Sequence, residues 1–510
     1  MKRFITTMSA VMIACAAMLL AGCDNDDNPG NGSTKKNNGA SDDKSLTFFC
    51  AAGMKPPIEL IRKEYEKQYG VSAQIQYEGS GTLFSKIQIA KQGDLFLAAD
   101  ESYVIAAQEK GLVKESIPLA HLTPVIAVKK GNAKNIKSLD DLLREDVDVA
   151  VGNPDAAAVG RKTRKILKGT GHWDKLEGHI KVLKPTVNDI ANDIIIGSVD
   201  AGIIWDATAN QYPDIEIIRV EPFEKKSMKV TIGVMTSSEN PTEALKFARY
   251  VAASDKGLTH FKSAGYAALN GDAWEEHPEI LIYSGAMLRP GLEKTIKEFQ
   301  KREGCTINTV FNGCGLLVSQ MKAGAKPEAY LSCDMKFMEA VEDRFEPSTV
   351  LTENDMVILV KKGNEKNIKN LEDLTRDGVR VGVAHEKNSA LGALTAMMLK
   401  DAGLYDKVNA NKSLDSATGD FLVNQIRAGS LDAVIVYRSN AMSSPENMEK
   451  YLDIVDIEAE GAMAVQPIAI AKETKHHHMI ERFFKAVRSN ASRENFESFG
   501  FRWRDEAAEK

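Results

Sequence analysis

Apolar residues in this chain form short continuous runs that alternate with longer segments whose apolar positions recur every three or four residues. The run from Leu46 to Ala52 predicts a buried strand, and Pro56-Pro57 then opens a predicted helix. Runs from Ser72 to Tyr77 and from Asp94 to Ala98 predict two further strands, each followed by a helical pattern. Buried strands that alternate with helices are typical of βαβ units around a parallel sheet. The pattern therefore predicts an α/β fold.

The whole pattern occurs twice. The segment KKGNAKNIKSLDDL at 129–142 returns as KKGNEKNIKNLEDL at 361–374, and VAVGNP at 149–154 aligns with VGVAHE at the same spacing. A near-constant offset over most of both halves indicates two homologous domains, because the repeat is far longer than a solenoid unit. We expect these domains at 45–270 and 279–504, joined by the polar stretch from Asn270 to Pro278.

One turn stands out in both copies: Gly79-Ser80-Gly81 in the first and Gly313-Cys314-Gly315 in the second. Each follows a predicted strand and opens a predicted helix. Glycines beside a small residue expose backbone N–H groups and let a ligand approach the helix N-terminus. A serine hydroxyl would add a neutral donor for an anion. The plainer interpretation is an ordinary turn in which Ser80 or Thr82 caps the helix.

The N-terminal region predicts an exported protein. Met1-Lys2-Arg3 precedes an apolar run from Phe4 to Leu20, and Leu20-Ala21-Gly22-Cys23 follows. This pattern, over residues 1–23, resembles a bacterial lipoprotein signal, which implies cleavage before Cys23 and acylation of that cysteine; a plain secretory signal is the alternative. Residues 24–44 contain only polar residues, Gly, Pro and Ala, so we expect a disordered tether there.

Charge and cysteine content narrow the class of protein. A net charge of −6 over 510 residues argues against a nucleic-acid partner. No segment after the signal is apolar enough to predict a membrane span. Beyond the signal and Cys23, four cysteines remain, too few for a disulfide scaffold. The sequence allows one bridge among Cys305, Cys314 and Cys333 without assigning it.

Five motifs follow one another in a fixed order: FFCAAGM at 48–54, GSGTL at 79–83, DLFLAAD at 94–100, VAVGNP at 149–154 and VDAGIIWDATA at 199–209. Each half then closes on a glycine and an aromatic residue, Gly265-Tyr266 and Gly500-Phe501. In this order the motifs make each half resemble the periplasmic molybdate-binding proteins, the solute receptors of ABC importers. The resemblance implies two tandem type II periplasmic-binding-protein domains, each of two α/β lobes joined by two hinge strands. The hinges are expected near Thr123–Val128 and Val230–Met235, and near Asp355–Val360 and Val465–Ala471.

The resemblance also implies five ligand-binding positions in each cleft, supplied by hydroxyls and backbone N–H groups. In the first domain they fall on Gly53, Ser80, Val159, Val187 and Trp205, and in the second, less clearly, on Met287, Cys314, Leu391, Gly419 and Tyr437. The chain departs from the family where Gly53 replaces a serine and Trp205 replaces a tyrosine. Lys55 and Arg289 are candidates for a positive charge that the family site does not use.

The second domain departs further, since Met287 and Cys314 occupy positions where hydroxyls are expected. Either this cleft no longer binds oxyanions or it prefers another ligand. Cys314, Met287, Cys333 and His385 would suit a soft metal such as Cu(I) or Zn(II), but metal-ligand spacing is absent and packing residues are the simpler interpretation. His476-His477-His478 also suggests a metal, although an exposed helix start is the simpler interpretation. We therefore predict neither a metal nor a cofactor.

The resemblance implies a lipid-anchored receptor on the periplasmic side of the cell membrane. It would capture a small oxyanion, most simply molybdate or tungstate, and deliver it to an ABC permease in the inner membrane. The alternative is a ligand-sensing lipoprotein that binds another small anion, or a soft metal in its second domain. The chain lacks the G-x-S-x-G, H-E-x-x-H and P-loop patterns, so we predict that it is not an enzyme.

Overall fold

The computed structural model of the chain describes residues 45–505, apart from the side chains of residues 445 and 447. The predicted signal at 1–23, with Cys23, and the predicted tether at 24–44 lie outside the described residues. Within the described part, none of the helices combines the length and the apolar composition that crossing a bilayer requires.

The first domain contains two sheets, which with their helices form lobe 1 and lobe 2. Its strands are β1 (Ser45–Ala51), β2 (Ser72–Glu78), β3 (Leu95–Ala98), β4 (Val113–Leu122), β5 (Pro124–Lys129), β6 (Val149–Gly152), β7 (Ile180–Lys184), β8 (Ala201–Trp205), β9 (Ile215–Ile218), β10 (Met228–Met235) and β11 (Ala267–Ala268). Its helices are α1 (Lys55–Tyr69), α2 (Ser80–Ala90), α3 (Glu101–Glu109), α4 (Ala158–Gly169), α5 (Trp173–Glu177), α6 (Val187–Ile196), α7 (Asp206–Asn210), α8 (Glu221–Glu224), α9 (Pro241–Ala252) and α10 (Gly257–Ser263). Lobe 1 has the strand order β11-β4-β10-β3-β1-β2, and lobe 2 has the order β7-β6-β8-β5-β9.

The second domain repeats this plan as lobe 3 and lobe 4. Its strands are β12 (Glu279–Gly285), β13 (Thr306–Asn312), β14 (Ala329–Leu331), β15 (Thr349–Lys361), β16 (Val381–Ala384), β17 (Lys412–Ser416), β18 (Ala433–Tyr437), β19 (Leu452–Asp456), β20 (Met463–Ile470) and β21 (Arg502–Trp503). Its helices are α11 (Arg289–Glu303), α12 (Cys314–Lys322), α13 (Met335–Glu339), α14 (Ala390–Asp401), α15 (Tyr405–Ala410), α16 (Gly419–Ala428), α17 (Arg438–Met442), α18 (Pro445–Lys450), α19 (His477–Val487) and α20 (Asn490–Ser498). Here β15 runs through both lobes, so the strand order β13-β12-β14-β20-β15-β18-β16-β17 is continuous.

The predicted strands and helices of the first lobe are confirmed, and their ends follow simple rules. In α1 the two prolines lie in the first turn, where their missing N–H groups remove no helical hydrogen bond. Ile58, Ile61 and Tyr65 bury one face of this helix, and Gly70 ends it in the left-handed conformation at φ 68°. Strand β1 lies between β2 and β3, parallel to both, as buried βαβ strands require.

The chain passes between lobes at two segments in each domain. In the first domain it crosses at Thr123, between β4 and β5, and returns through residues 219–227. In the second it crosses within β15, whose residues up to Asp355 pair with β20 and whose later residues pair with β18 and β19. It returns through residues 457–462.

The crossings predicted near Val230–Met235 and Val465–Ala471 are therefore wrong, while those near Thr123 and Asp355 are confirmed. Strand β10 pairs with β3 and β4 inside lobe 1, and β20 pairs with β14 and β15 inside lobe 3. Both strands are continuous apolar runs because both are central in their sheets. Burial gives a central strand and a crossing strand the same pattern, so periodicity does not separate them.

Lobe 1 and lobe 3 are joined by buried ion pairs. Glu303 of α11 is 1% exposed, and its carboxylate accepts two hydrogen bonds from Arg482 at 2.6 and 3.0 Å. Arg249 of α9, in the first domain, donates to the Glu303 carbonyl at 3.2 Å. At the edge of this contact Arg302 forms a two-pronged pair with Glu115 at 2.8 and 2.7 Å. The Glu303 carboxylate also lies 3.7 Å from Arg249 Nε, so separating the domains would leave the Arg249 charge without this partner.

The histidine triplet belongs to the same interface. Helix α19 begins at His477, as predicted, but His476 is 1% exposed, so the expectation of an exposed helix start is wrong for that residue. Its ring nitrogens lie 2.9 Å from Glu328 Oε1 and 3.2 Å from Glu275 Oε2. Burial disfavours the charged imidazole, but the hydrogen bonds and charges of the two carboxylates outweigh burial and raise the pKa of His476.

The other two histidines have a ring nitrogen within 4.8 Å of a Glu481 oxygen and of each other, a spacing that would accommodate a metal ion. His477 Nε2 contacts Glu346 at 2.9 Å, and His478 Nε2 contacts the Asn270 carbonyl at 2.7 Å. The nitrogens that face Glu481 are the two Nδ1 atoms, and His478 Nδ1 contacts Glu481 Oε2 at 2.8 Å, so this carboxylate has a hydrogen-bond partner within the cluster itself.

We expect the interface to weaken as pH rises. A pKa raised by folding stabilises the folded state below the unfolded value of about 6.5, and this contribution is lost as pH rises through the folded value. Urea midpoints measured at about pH 6 and about pH 8.5 should therefore show His476→Gln destabilised at the lower pH, with the deficit shrinking at the higher one. His277→Gln, at a side chain that is 80% exposed, is the control. A loss of stability in His476→Gln that does not depend on pH would contradict the raised pKa of His476.

Candidate functional site

A small cavity of about 20 Å3 lies between lobe 1 and lobe 2, where three helices begin. The first residues of α2, α4 and α6 line it, including Ser80, Val159 and Val187. Gly53 and Trp205 complete the lining, so the structure brings together all five positions expected in the first domain. No lysine, arginine or histidine is among the described residues that line it. The first turns of three helices thus direct unpaired N–H groups and positive dipole ends at one small space.

Ser80 is oriented by the strand beside it. Its side chain is buried, and its Oγ accepts a hydrogen bond from the Ala99 N–H at 3.1 Å. Because the oxygen serves as acceptor in that bond, the hydroxyl proton is left to donate into the cavity. The capping interpretation of Ser80 and Thr82 is wrong. The N-cap is Gly79, which has no side chain to cap the helix, and α2 begins at Ser80.

The N-terminal turn of α2 is also the point where the lobes touch. The N–H groups of Gly81 and Thr82 donate to the carbonyl oxygen of Ala156, in lobe 2, at 2.8 and 3.2 Å. Two of the amides that a helix N-terminus leaves unpaired are therefore used by the opposite lobe. Unlike these two amides, the Ser80 N–H does not donate a backbone hydrogen bond to the described residues of lobe 2.

The two glycines of this turn make the contact between lobes sterically feasible. A Cβ on Gly79 would lie 2.4 Å from the carbonyl oxygens of Ala156 and Pro185, and a Cβ on Gly81 would lie 2.3 Å from that of Asp155. Contacts this short with backbone atoms do not occur, so any other residue would hold the lobes apart. The sequence correctly identified these glycines as positions of close approach. The group that approaches them is the backbone of lobe 2, whereas a ligand was expected there.

Gly53 lacks the hydroxyl expected at its position, and a neighbouring threonine occupies the adjacent space. A Cβ on Gly53 would lie only 3.1 Å from Thr208 Oγ1 and 3.2 Å from a methyl of Val187. The Thr208 hydroxyl is buried and has no hydrogen-bond partner among the described residues. The Gly53 carbonyl is held by the Tyr266 hydroxyl at 2.6 Å. Sequence reasoning missed Thr208, although it stands within the VDAGIIWDATA motif at 199–209.

Glu78 is a second residue that sequence reasoning missed. It lines the cavity at the end of β2, and one of its carboxylate oxygens is bonded to Lys86. The other oxygen is buried without a hydrogen-bond partner among the described residues. A carboxylate at this edge opposes anion binding, and Lys86 offsets only part of its charge. The corresponding residue of the second domain is the neutral Asn312.

Each of the two positive charges suggested by the sequence stacks on an aromatic ring. Lys55 Nζ lies 5.5 Å from the centre of the Tyr77 ring, and the Arg289 guanidinium lies 4.7 Å from that of Phe311. Both cations are exposed and stack on an aromatic ring in the same way in the two domains. Lys55 is not among the residues that line the first cavity, so the expectation that it charges that site is wrong.

The second cleft has the same framework with different side chains. Helices α12, α14 and α16 begin at Cys314, Ala390 and Gly419, so the predicted Leu391 and Gly419 lie in first turns as their counterparts do. Met287 and Tyr437 are buried, and the Tyr437 hydroxyl has no hydrogen-bond partner among the described residues.

Of the four residues suggested for a soft metal, His385 lies apart from the two cysteines. Cys314 and Cys333 are in contact, with their sulfurs 2.8 Å apart. His385 instead lies in the loop after β16, where its Nδ1 accepts hydrogen bonds from the N–H groups of Lys387 and Asn388 at 3.1 and 3.3 Å. It borders a separate cavity to which neither cysteine contributes. His385 therefore does not complete a set with the two cysteines, which removes the nitrogen ligand from the alternative of a soft metal.

We expect Gly81→Ala to prevent closure of the first domain, because the new methyl would collide with the backbone of lobe 2. Affinity for any ligand that requires closure should fall by roughly tenfold or more, about 1.4 kcal/mol. Calorimetric titration measures the affinity, and small-angle scattering measures the closure. The matched control is Gly169→Ala, at a helical glycine of lobe 2 with nothing within 4 Å of its Cβ position. If Gly81→Ala binds and closes normally, the steric argument is wrong.

Comparison with known proteins gives one family for both halves. A family model described as bacterial extracellular solute-binding protein matches residues 46–267 and, again, residues 280–502. A putative binding protein of Haemophilus influenzae is 29% identical over 221 residues, which cover 43% of this chain and 90% of that protein. The molybdate-binding protein ModA of Mycobacterium bovis is 27% identical over 227 residues, covering 44% and 84%. The solved periplasmic molybdate-binding protein of Azotobacter vinelandii has 18% sequence identity, covers 43% of this chain and 98% of its own, and gives a TM-score of 0.38.

Proposed function

The chain belongs to the family of bacterial extracellular solute-binding proteins, in two tandem copies, and we propose that its first domain captures a small tetrahedral oxyanion, molybdate or tungstate, between its lobes. One observation carries this proposal: three helix N-termini converge on a small cavity between the lobes that holds a buried serine hydroxyl and, among the described residues that line it, no cationic side chain. Helix N-termini bind anions through their free N–H groups and their dipoles.

The chemistry of the cavity suits a fully ionised oxyanion. Neutral donors favour a ligand that accepts hydrogen bonds on every oxygen and that carries no proton of its own to donate. Ser80 supplies one hydroxyl, and the first turns of α4 and α6 supply backbone N–H groups. Thr208 offers a hydroxyl beside the position where Gly53 lacks one. The names of relatives that bind molybdate support the choice among oxyanions.

We further propose that the protein delivers the anion to an ABC permease in the inner membrane, held there by a lipid anchor on Cys23. The resemblance of residues 1–23 to a lipoprotein signal supports the anchor, and the extracellular family supports the compartment. A closed domain sequesters its ion, and reopening at the crossing segments near Thr123 would release it to the permease.

Calorimetric titration of the purified full chain with molybdate, tungstate and sulfate tests the ligand. Ser80→Ala should weaken binding by about 1–2 kcal/mol, because one hydrogen bond to a charged ligand is lost. Ser85→Ala, at an exposed position of the same helix, is the control. The absence of heat with all three oxyanions would defeat the proposal. An unchanged affinity in Ser80→Ala would mean that Ser80 does not bind the ligand and only accepts the hydrogen bond from the Ala99 N–H.

Glu78→Gln should strengthen anion binding by about 0.5–1 kcal/mol, since it removes a nearby negative charge while keeping the shape of the side chain. The gain should shrink at high ionic strength because salt screens the repulsion. Glu145→Gln makes the same change in net charge at an exposed position of lobe 2 and is the control. A loss of affinity in Glu78→Gln would mean that the carboxylate contacts the ligand favourably, and the anion assignment would be wrong.

A further inference from the structure

Two cysteines replace a serine and an alanine at equivalent positions of the two domains. In the first domain the Ala99 N–H donates to Ser80 Oγ at 3.1 Å, and in the second the Cys333 N–H donates to Cys314 Sγ at 3.1 Å. The backbone geometry is therefore the same, and only the side chains differ. Both cysteines are buried, and their sulfurs lie 2.8 Å apart.

A third substitution makes room for the second sulfur. A Cβ on Gly285 would lie 2.1 Å from Cys333 Sγ and 3.1 Å from Cys314 Sγ. The first domain has Ala51 at the position of Gly285 and Ala99 at the position of Cys333. The thiol at Cys333 thus fits only because position 285 carries no side chain. The pair of sulfurs is therefore accommodated by the cleft itself, since Gly285 and Cys333, at the ends of different strands, both differ from their first-domain counterparts in the way that the pair requires.

The surroundings make one sulfur a nucleophile and the other its partner. Cys314 is the first residue of α12, and its sulfur accepts a hydrogen bond from the Cys333 N–H and lies 3.8 Å from the Ser332 hydroxyl. Burial disfavours the thiolate, but the hydrogen bonds donated to this sulfur outweigh burial and lower the pKa of Cys314. The hydrogen bond with Cys314, together with burial, raises the pKa of Cys333.

We propose that Cys314 and Cys333 are a reversible disulfide site, and that its redox state decides whether the second cleft accepts an anion. The oxidant is an organic disulfide, RSSR, which reaches the pair when the lobes part. The Cys314 thiolate attacks one sulfur of RSSR and displaces the first thiol, RSH. The deprotonated sulfur of Cys333 then attacks Cys314 Sγ and displaces the second. Two electrons and two protons leave the cysteines and are held in two molecules of RSH.

The distance favours a disulfide over a shared metal ion. The sulfurs need to approach by only about 0.8 Å to reach the length of a disulfide bond. Two thiolates that bind one tetrahedral zinc at about 2.3 Å each stand roughly 3.8 Å apart, so a metal would have to push this pair apart. The nitrogen ligand proposed to complete a metal site, His385, lies in another cavity.

The gating part of the inference rests on the proposed function. The Cys333 N–H donates to Cys314 Sγ, so the reduced pair can hold a thiolate at the position where the first domain has the Ser80 hydroxyl, and a thiolate there would repel an oxyanion. A disulfide carries no such charge. The Tyr437 hydroxyl, buried without a hydrogen-bond partner among the described residues, then remains as a donor beside the first turns of α12, α14 and α16. The second cleft should therefore bind an anion when oxidised and reject it when reduced.

Mass spectrometry tests the bond itself. The full chain is exposed to oxidised glutathione, alkylated and digested with trypsin, and a peptide pair linked through Cys314 and Cys333 is expected, lighter by two hydrogens than the free pair. Trypsin leaves Cys305 and Cys314 in one peptide, since no lysine or arginine separates them. Cys305→Ser therefore assigns the link, because it should leave the linked pair in place. Complete alkylation of Cys314 and Cys333 after oxidation, or a link that disappears in Cys305→Ser, would overturn the proposal.

Titration with molybdate tests the gating. The oxidised chain should bind about one more equivalent per chain than the reduced chain. The double variant Cys314→Ser/Cys333→Ala, which copies the pair found in the first domain, should bind the same amount in both states. A linked pair with unchanged stoichiometry would overturn the gating while the bond stands. Failure of the first domain to bind in either state counts against the proposed function and not against the disulfide.

Discussion

The carbonyl oxygen of Ala156 rests on the first turn of α2, and the cleft depends on this contact. It brings the starts of α4 and α6, in lobe 2, to the start of α2, in lobe 1, so that one cavity faces three positive helix ends. The contact requires glycine at positions 79 and 81 because any Cβ there would strike the backbone of the opposite lobe.

The duplication shows which part of this arrangement the second domain retains. A Cβ on Gly313 would lie 2.5 and 2.7 Å from the carbonyl oxygens of Asn388 and Ala417, and a Cβ on Gly315 would lie 2.2 Å from that of Lys387. The steric condition for closure is thus the same in both domains. At this turn the difference is the residue between the glycines, which carries a hydroxyl in one copy and a thiol in the other. Closure and ligand chemistry are therefore separable in this fold. Closure depends on the close backbone contacts at the glycines, and the ligand chemistry depends largely on the side chain between them.

The sequence was sufficient for the features that depend on local pattern and failed for those that depend on distant pairing. Strand β1 was predicted at Leu46–Ala52 and lies at Ser45–Ala51, because a buried strand needs only its own apolar run. Strand β10 was mistaken for a crossing because its partners, β3 and β4, are far away in the chain. Thr208 and Glu78 were missed for a related reason. Glu78 matters only because folding places it at the cavity, and Thr208, although it lies within a motif, matters only because folding places its hydroxyl beside Gly53.

The ion pairs between the domains decide which lobes are free to move. Glu303, Arg249 and Arg482 join lobe 1 to lobe 3, and their charges are too deeply buried to separate during a hinge motion. The parts that swing must then be lobe 2 and lobe 4, each attached to this joint body by two crossing segments. Closure of one cleft therefore does not require closure of the other. Two clefts with the same framework and different central residues can respond independently, one to the solute and the other to solute and redox state together.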